Sequence, residues 1–326
     1  MEDHLLRVED LQVVFPTPHG PVYAVNRISF AIRAGQIYGV VGESGCGKTA
    51  TGRAILGLIP PPGRINGGRI IFRGENLLEK SAYEMQRLRG RRLAMVFQDP
   101  AAALNPVFTI GRQLLGIMKH HRIASDGRYG PRAVQLLGDL GLPAPERIVK
   151  RYPHELSGGM QQRVMIAMAL AAEPDLIIAD EPTSALDVTI QSQILDLLVQ
   201  LRDQRGVTII MITHDLGVVA ETCDEVGVFY LGEIIEGGTV RDIFHRTRHP
   251  YTRKLLASLP NPEKWGRELD IIPGSVPTNF ENIKGCAFAP RCKQCMAICQ
   301  TTKPKSAVFS TTHHTACHLY GERESG

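Results

Sequence analysis

Residues Gly42 to Thr49 read Gly-Glu-Ser-Gly-Cys-Gly-Lys-Thr, which fits the G-x-x-x-x-G-K-[ST] spacing of a phosphate-binding loop. The glycines at 42, 45 and 47 let consecutive backbone N–H groups turn inward and wrap phosphate oxygens. Ser44, Cys46 and Ala50 are the remaining nucleotide-contacting positions expected in this stretch. Lys48 should reach the β- and γ-phosphates, and the Thr49 hydroxyl should bind Mg²⁺. A helix starting here adds partial positive charge from its N-terminus. The alternative is a Gly-rich turn before a helix. The apolar stretch Ile37–Val41 feeding the loop and the helix-periodic stretch after it favour the phosphate reading.

Leu176-Ile-Ile-Ala-Asp180-Glu181 is an apolar run ending in two carboxylates. Asp180 suits a Mg²⁺ contact, and Glu181 is placed to polarise a water aimed at a γ-phosphate. An acidic pair at a strand end can also be a cap or a solvated turn. Beside a phosphate loop the chemical reading gains weight, because ligands of parallel sheets gather at the carboxyl ends of strands. Leu156-Ser157-Gly158-Gly159-Met160-Gln-Gln-Arg163 precedes a long apolar helix. Ser157 can cap that helix. Two following glycines are costly in a plain cap and make sense where backbone N–H groups approach an anion closely.

Five of the seven cysteines lie between Cys286 and Cys317. Such a cluster more often binds metal or does redox work than forms a disulfide framework in a cytosolic chain. The spacing is Cys286-x5-Cys292-x6-Cys299, with Cys317 further on and Cys295 in between. Four thiolates can hold Zn²⁺ or a [4Fe–4S] cluster. Only Cys292–Cys295 has the two-residue gap common in zinc knuckles. Cys46 and Cys223 read as ordinary small residues, and His313, His314 and His318 as solvated.

The elements that must carry these groups alternate. Residues 5–14 and 28–41 read as strands, with a Pro/Gly-rich loop at 15–21 between them. Helix periodicity covers 48–59, a short strand 69–73, and a buried strand 94–98. From about 101 to 173 the pattern is helical: 109–121, 130–140 and 158–172. Strands 176–179, 207–213 and 226–230 then alternate with helices 188–205 and 215–222, which gives a parallel sheet with crossover helices. A helix at 252–258 leads to the linker signal Pro260-Asn-Pro. The tail beyond has little apolar pattern and should need a staple to hold its shape.

Composition sets the outer limits. The chain has 326 residues, 43% apolar and 21% charged, near a soluble globular average, so a disordered or collagen-like chain is excluded. No apolar run approaches the ~20 residues of a membrane span. The start, Met1-Glu-Asp-His, lacks a basic stretch followed by an apolar one, so no signal peptide and a cytosolic chain are expected. Net charge is +4 with Lys and Arg scattered, which gives no footprint for nucleic acid.

The phosphate loop, Gln98, Leu156–Arg163, Leu176–Glu181 and Ile212-Thr-His214-Asp215 occur in the order of ATP-binding-cassette ATPases. The chain resembles that family over roughly residues 5–245. The resemblance implies an α/β P-loop NTPase core with a mixed sheet, an all-helical insert and a small cysteine-rich extension. Its expected segments are 1–98 with 174–245 for the core, 99–173 for the helical insert and 246–326 for the extension. It further implies that two such subunits sandwich two ATP molecules. Ser157 and Gly159 would contact the γ-phosphate held by the partner's loop. Glu181 would be the catalytic base and His214 the γ-phosphate sensor. Gln98 would sense Mg²⁺ and the attacking water and link the site to the helical insert. Mg²⁺ ligands would come from Thr49, Gln98 and Asp180. The loop Ser184–Asp187, ending in Asp187, would communicate across the dimer. Phe15 would stack on adenine, with Tyr23 the runner-up.

The cysteine spacing, Arg248-His-Pro-Tyr-Thr, Ile272-Pro-Gly-Ser-Val-Pro and Tyr152-Pro-His-Glu-Leu-Ser resemble ATP-binding subunits of oligopeptide/dipeptide permeases. That resemblance implies an importer ATPase at the cytoplasmic face of the inner membrane. Its partners would be two transmembrane permease subunits, a second and homologous ATPase subunit, and an extracytoplasmic substrate-binding protein. It favours a [4Fe–4S] cluster on Cys286, Cys292, Cys299 and Cys317, with Cys295 a spare thiol; Zn²⁺ and unligated thiols stay open. Relatives also carry nickel chelates or other small solutes. A soluble cassette ATPase acting on ribosomes or DNA is a further alternative, but the second cassette or long coiled-coil insertion usual there is absent from this sequence.

Overall fold

A computed structural model describes residues 4–123, 127–184, 186–259 and 283–321. The Pro260–Pro262 linker signal, the Ile272–Pro277 motif and Ala185 of the Ser184–Asp187 loop lie outside the described residues.

The chain opens with β1 (His4–Thr17), β2 (Gly20–Arg33), β3 (Ile37–Val41), α1 (Lys48–Ile55), β4 (Arg64–Phe72) and β5 (Glu75–Asn76). Next come α2 (Ala82–Leu88), β6 (Leu93–Val96), α3 (Pro100–Ala103), α4 (Ile110–His120), α5 (Tyr129–Asp139), α6 (Pro145–Ile148) and α7 (Gly158–Leu170). Then follow β7 (Leu176–Asp180), α8 (Val188–Arg205), β8 (Thr208–Thr213), α9 (Leu216–Thr222), β9 (Glu225–Tyr230) and β10 (Glu233–Thr239). The described chain closes with α10 (Val240–His245), α11 (Pro250–Ala257), α12 (Ala297–Thr301), β11 (Ser306–Val308) and β12 (His314–Ala316). Among the described residues no helix is long and apolar enough to cross a membrane.

Two compact units emerge. One holds the described residues of 33–37 and 79–212; the other holds those of 4–32, 38–78 and 213–321.

In the first unit β6, β7 and β8 run parallel, in register from Leu93↔Leu176 to Val96↔Ala179 and from Leu176↔Thr208 to Asp180↔Ile212. Every residue of these three strands is buried, the continuous apolar pattern of strands covered on both faces. The shared register brings their carboxyl ends level, so the residues that follow β6 and β7 emerge along one rim. Helices α3 to α7 form an all-helical array around α7, whose Val164, Ile166 and Ala167 are fully buried.

The second unit carries two sheets. One is ordered β2-β1-β4-β5, with β4 antiparallel to both β1 and β5. The other is mixed: β3 runs parallel to β9, β9 antiparallel to β10, and β10 antiparallel to β12, which pairs with β11.

Several sequence expectations are corrected. The 15–21 segment is not a loop: β1 continues to Thr17 and β2 restarts at Gly20. The turn is closed by the Thr17 hydroxyl, which donates to the Gly20 carbonyl at 2.7 Å. The single strand expected over 28–41 is two strands broken at residues 34–36, where Gly35 takes φ +72°. The tail does have a core. Phe288, Tyr251, Tyr230 and Ala287 pack with Val228 and Ile235 of the sheet, and the rings of Tyr230, Tyr251 and Phe288 stand 4.7–5.4 Å apart.

Candidate functional site

In the second unit the fully buried strand β3 delivers the chain into Gly42. Gly42, Gly45 and Gly47 have φ of +154°, +78° and +101°, a region that favours glycine. A Cβ on Gly42 would strike the Phe229 carbonyl oxygen, and one on Gly47 would strike that of Ala24; one on Gly45 meets nothing within 4 Å. The outer glycines therefore let the loop lie tight on its neighbours, while the middle one faces open space. Helix α1 starts at Lys48 with no side-chain cap and no acidic residue in its first turn. The N-terminus of such a helix carries partial positive charge that favours an anion.

The Lys48 side chain is buried, and its Nζ donates to the carbonyl oxygens of Gly42 at 2.7 Å and Glu43 at 3.0 Å. The ammonium thus sits inside the curl of its own loop. Cys46 turns inward and burial pushes its thiol up, so only its backbone serves the loop's open side. Ser44 and Gly45 are exposed, and Thr49 and Ala50 are half-buried.

Glu43 is held from behind. Its N–H donates to the Tyr251 hydroxyl at 3.1 Å. Its carboxylate accepts two bonds from Arg291, Nη1 to Oε2 at 2.7 Å and Nη2 to Oε1 at 3.0 Å. Arg291 also donates to the Tyr230 hydroxyl at 3.3 Å. The Glu43 carboxylate holds the Arg291 guanidinium above its ordinary value. None of the three was expected at the phosphate loop; Tyr251 had entered only within the Arg248-His-Pro-Tyr-Thr motif.

His214 is exposed directly after β8, ahead of α9. Phe15 is half-buried with its ring laid over the backbone of Gly63, and Tyr23 is half-buried in β2.

In the first unit, Gln98 and Glu181 meet on the rim above β6 and β7: Gln98 Nε2 donates to Glu181 Oε2 at 3.0 Å. Asp180 is buried at the end of β7. Glu181 takes φ +47°, a strained backbone for a non-glycine residue and a common mark of a functional site. Its N–H donates to the Ile212 carbonyl at 2.8 Å, and its carbonyl accepts from the Ser184 amide and hydroxyl. These bonds fix the kink that sends the carboxylate outward.

Ser157 is the N-cap of α7, accepting from the Met160 N–H at 3.4 Å, and Asp187 caps α8 through the Ile190 N–H at 2.9 Å. Gly159 has a packing reason as well, since a Cβ there would lie 2.8 Å from Ile190 Cγ2. Gly158 faces open space.

None of the described cysteines is in a disulfide. Burial pushes Cys286 up to about 12, with Cys317, Cys299 and Cys292 adding to the shift. Burial likewise raises Cys292 and Cys317. Cys295 is exposed and its thiol donates to the Met296 carbonyl. Gly285 lets the chain press onto the Cys299 carbonyl, which accepts from the Cys286 N–H at 2.8 Å. Cys286 and Cys299 share the lining of a cavity of about 380 Å³. Among the described residues no group of three or more His, Cys, Asp or Glu side chains is placed to hold a metal ion.

His313 is buried rather than solvated. Its Nε2 lies 3.2 Å from Glu236 Oε1. Glu236 is fully buried. Burial alone would raise its carboxyl, but hydrogen bonds from His313 and from the N–H groups of Arg248 and His249 outweigh that and hold it low.

Comparison with known proteins agrees with this geometry. The ABC transporter family profile matches residues 25–184, and the profile of the oligopeptide/dipeptide transporter C-terminal region matches 235–299. The dipeptide transport ATP-binding protein DppD of Bacillus subtilis is 44% identical over 322 residues, covering 98% of this chain and 96% of that relative. The oligopeptide transport ATP-binding protein OppD of Salmonella typhimurium is 46% identical over 313 residues, covering 96% and 93%. Among solved structures, the dimeric post-hydrolysis state of the ATP-binding cassette MJ0796 bound to ADP and Pi superposes with a TM-score of 0.65 at 26% identity, covering 72% of this chain and 99% of that one. Clostridium perfringens cbiO1, part of the ABC transporter complex cbiONQ, gives 0.63 at 28% identity, covering 76% and 93%. With a phosphate loop, a kinked acidic rim and near full-length likeness to these relatives, the chain belongs to the oligopeptide/dipeptide branch of the ABC transporter ATP-binding proteins.

Proposed function

We propose that this chain binds and hydrolyses ATP as the energising subunit of an importer for di- or oligopeptides. It sits peripherally at the cytoplasmic face of the membrane. It works with two permease subunits, a second and homologous ATPase subunit and an extracytoplasmic substrate-binding protein. The observation that carries this reading is the loop Gly42–Thr49, with Lys48 curled inside it and an uncapped helix behind it. Such a site takes a polyphosphate by exchanging the lysine's own carbonyl partners for phosphate oxygens.

The remaining roles follow from the family. Gly42, Ser44, Gly45, Cys46, Gly47, Lys48, Thr49 and Ala50 cradle the phosphates, and Phe15 stacks on the adenine. Thr49, Gln98 and Asp180 hold Mg²⁺, which when bound neutralises phosphate charge. Glu181 takes a proton from the water that attacks the γ-phosphorus, and the Gln98 amide on its carboxylate keeps it aimed. His214 contacts the γ-phosphate. Ser157, Gly159 and Asp187 act on the nucleotide of the partner ATPase subunit. The segments 1–98 with 174–245, 99–173 and 246–326 serve as core, helical insert and extension. Glu181→Gln should keep ATP binding, abolish turnover and trap the closed pair of ATPase subunits. Wild-type turnover of that variant in the reconstituted complex would overturn the assignment of the base. Co-purification with the permeases, followed by identification of the ligand in the binding protein, tests the cargo.

The finer reading of the extension is that Cys286, Cys292, Cys299 and Cys317 hold a [4Fe–4S] cluster, which when bound supplies a structural staple. The support is the chemistry of the donor set, four thiols buried or half-buried that disfavour one another's ionisation; the described side chains do not stand grouped as ligands, so a cluster would have to draw them together. Thiols raised in this way ionise readily only beside a cation. Iron and acid-labile sulfide analysis of anaerobically purified protein tests it. Absence of both would remove the cluster and leave the extension held by its aromatic core.

A further inference from the structure

The phosphate loop contains an acid. Glu43 lies directly after Gly42, in a loop whose task is to receive a polyanion. An unpaired carboxylate there opposes the ligand. Like charges in partly desolvated surroundings repel far more strongly than in bulk water. This carboxylate is not unpaired. Both of its oxygens accept from Arg291, at 2.7 and 3.0 Å, a fork-on-fork contact that fixes direction as well as charge. The Arg291 side chain is 6% exposed and that of Glu43 is 26% exposed, so water screens the pair weakly. Tyr251 takes the Glu43 N–H, and Tyr230 accepts from the same guanidinium.

Three of these four residues lie outside the phosphate loop. Tyr230 ends β9, Tyr251 opens α11, and Arg291 stands in the cysteine-rich extension, next to Cys292. Lys254 of α11 donates to the Arg291 carbonyl at 3.1 Å, so the arginine's backbone is held as well as its side chain.

We propose that Arg291 is a positioning residue for nucleotide binding: the cysteine-rich extension reaches the phosphate loop through it, neutralising Glu43 and turning its carboxylate away from the bound polyphosphate. The proposal rests on the reading that residues 42–49 bind ATP. It goes beyond that reading in giving the extension a direct part in nucleotide affinity. ATP, with one more phosphate charge than ADP, depends on the neutralisation more strongly. Part of the effect is screened by salt.

The test measures MgATP and MgADP affinity of the full-length chain by competition with a fluorescent nucleotide, with thermal melting in parallel. The variants are Arg291→Gln, Glu43→Gln/Arg291→Gln and Thr315→Val. The last removes a buried hydrogen bond of the same extension, from Thr315 Oγ1 to the Ile235 carbonyl, and serves as a structural control. Arg291→Gln is expected to weaken MgATP about tenfold and MgADP less, with the defect shrinking as salt is raised. Adding Glu43→Gln should restore most of the affinity, because it removes the stranded charge. Thr315→Val should lower the melting temperature without changing affinity. The proposal is overturned if Arg291→Gln binds MgATP like the wild type. It also fails if the double variant is weaker still, or if Thr315→Val costs as much affinity as Arg291→Gln. Failure of the wild-type chain to bind MgATP would instead overturn the underlying reading.

Discussion

Lys48 and His249 show two ways of keeping a titratable nitrogen out of water. The Lys48 Nζ is held by two loop carbonyls that accept from it. Lys48→Ala should weaken MgATP binding at least tenfold, measured by equilibrium binding, while the melting temperature stays near that of the wild type. His249 is kept neutral instead. It is buried, its Nδ1 accepts from the Tyr251 N–H at 3.1 Å as the N-cap of α11, and its Nε2 has no hydrogen-bond partner among the described residues. Burial pulls it down from 6.5 to about 4, with Glu236 opposing. Between those values the unfolded chain binds more protons than the folded one. Stability is therefore complete above about pH 6.5 and falls as pH drops toward 4, by about 3 kcal/mol in all. Urea midpoints at pH 7 and 4.5 should record the loss. His249→Asn keeps a capping acceptor and should flatten the dependence, measured in the same way.

Elements with a strong period were legible in the sequence. The helix expected at 188–205 is α8 to the residue, because Asp187 caps its start and Gly206, with φ +65°, ends it. The buried strands β7 and β8 were equally plain, since each has a continuous apolar run, Leu176–Ala179 and Ile209–Ile212. What was missed depends on distant partners. Strand β10 carries Glu236 and two glycines and has no apolar alternation of its own; it exists because β9 pairs with it in register. The extension was read as lacking a core because its apolar residues follow no period; Ala287 and Phe288 are buried by residues dozens of positions away, such as Tyr230 and Tyr251. In the candidate site the motif residues were legible, whereas the Glu43–Arg291 pair was not, since no spacing rule links positions 248 residues apart. The glycines give a prediction at this scale. Gly47→Ala forces a Cβ into the Ala24 carbonyl at a left-handed backbone. It should abolish nucleotide binding and cost about 2 kcal/mol or more in denaturant unfolding. Gly159→Ala brings a Cβ within 2.8 Å of Ile190 Cγ2, so Ile190 must shift, and should cost about 1 kcal/mol.

At the scale of the whole molecule, the proposed function makes the chain one member of an assembly, with ATP as the adhesive between two such members. Light scattering on the Glu181→Gln chain mixed with its partner ATPase subunit should show a two-subunit species with MgATP and separate chains with MgADP. The way the second unit ends has a different consequence. Strand β12, near the end of the described chain, pairs with β10 through Glu236↔Thr315 and Gly237↔His314 and is itself followed outward by β11. A polypeptide cut short before these strands, by proteolysis or a premature stop codon, would leave β10 with a bare row of N–H and C=O groups. Such a border invites the same border of another copy. Inclusion bodies rather than a soluble, inactive fragment are the expected fate of truncated chains.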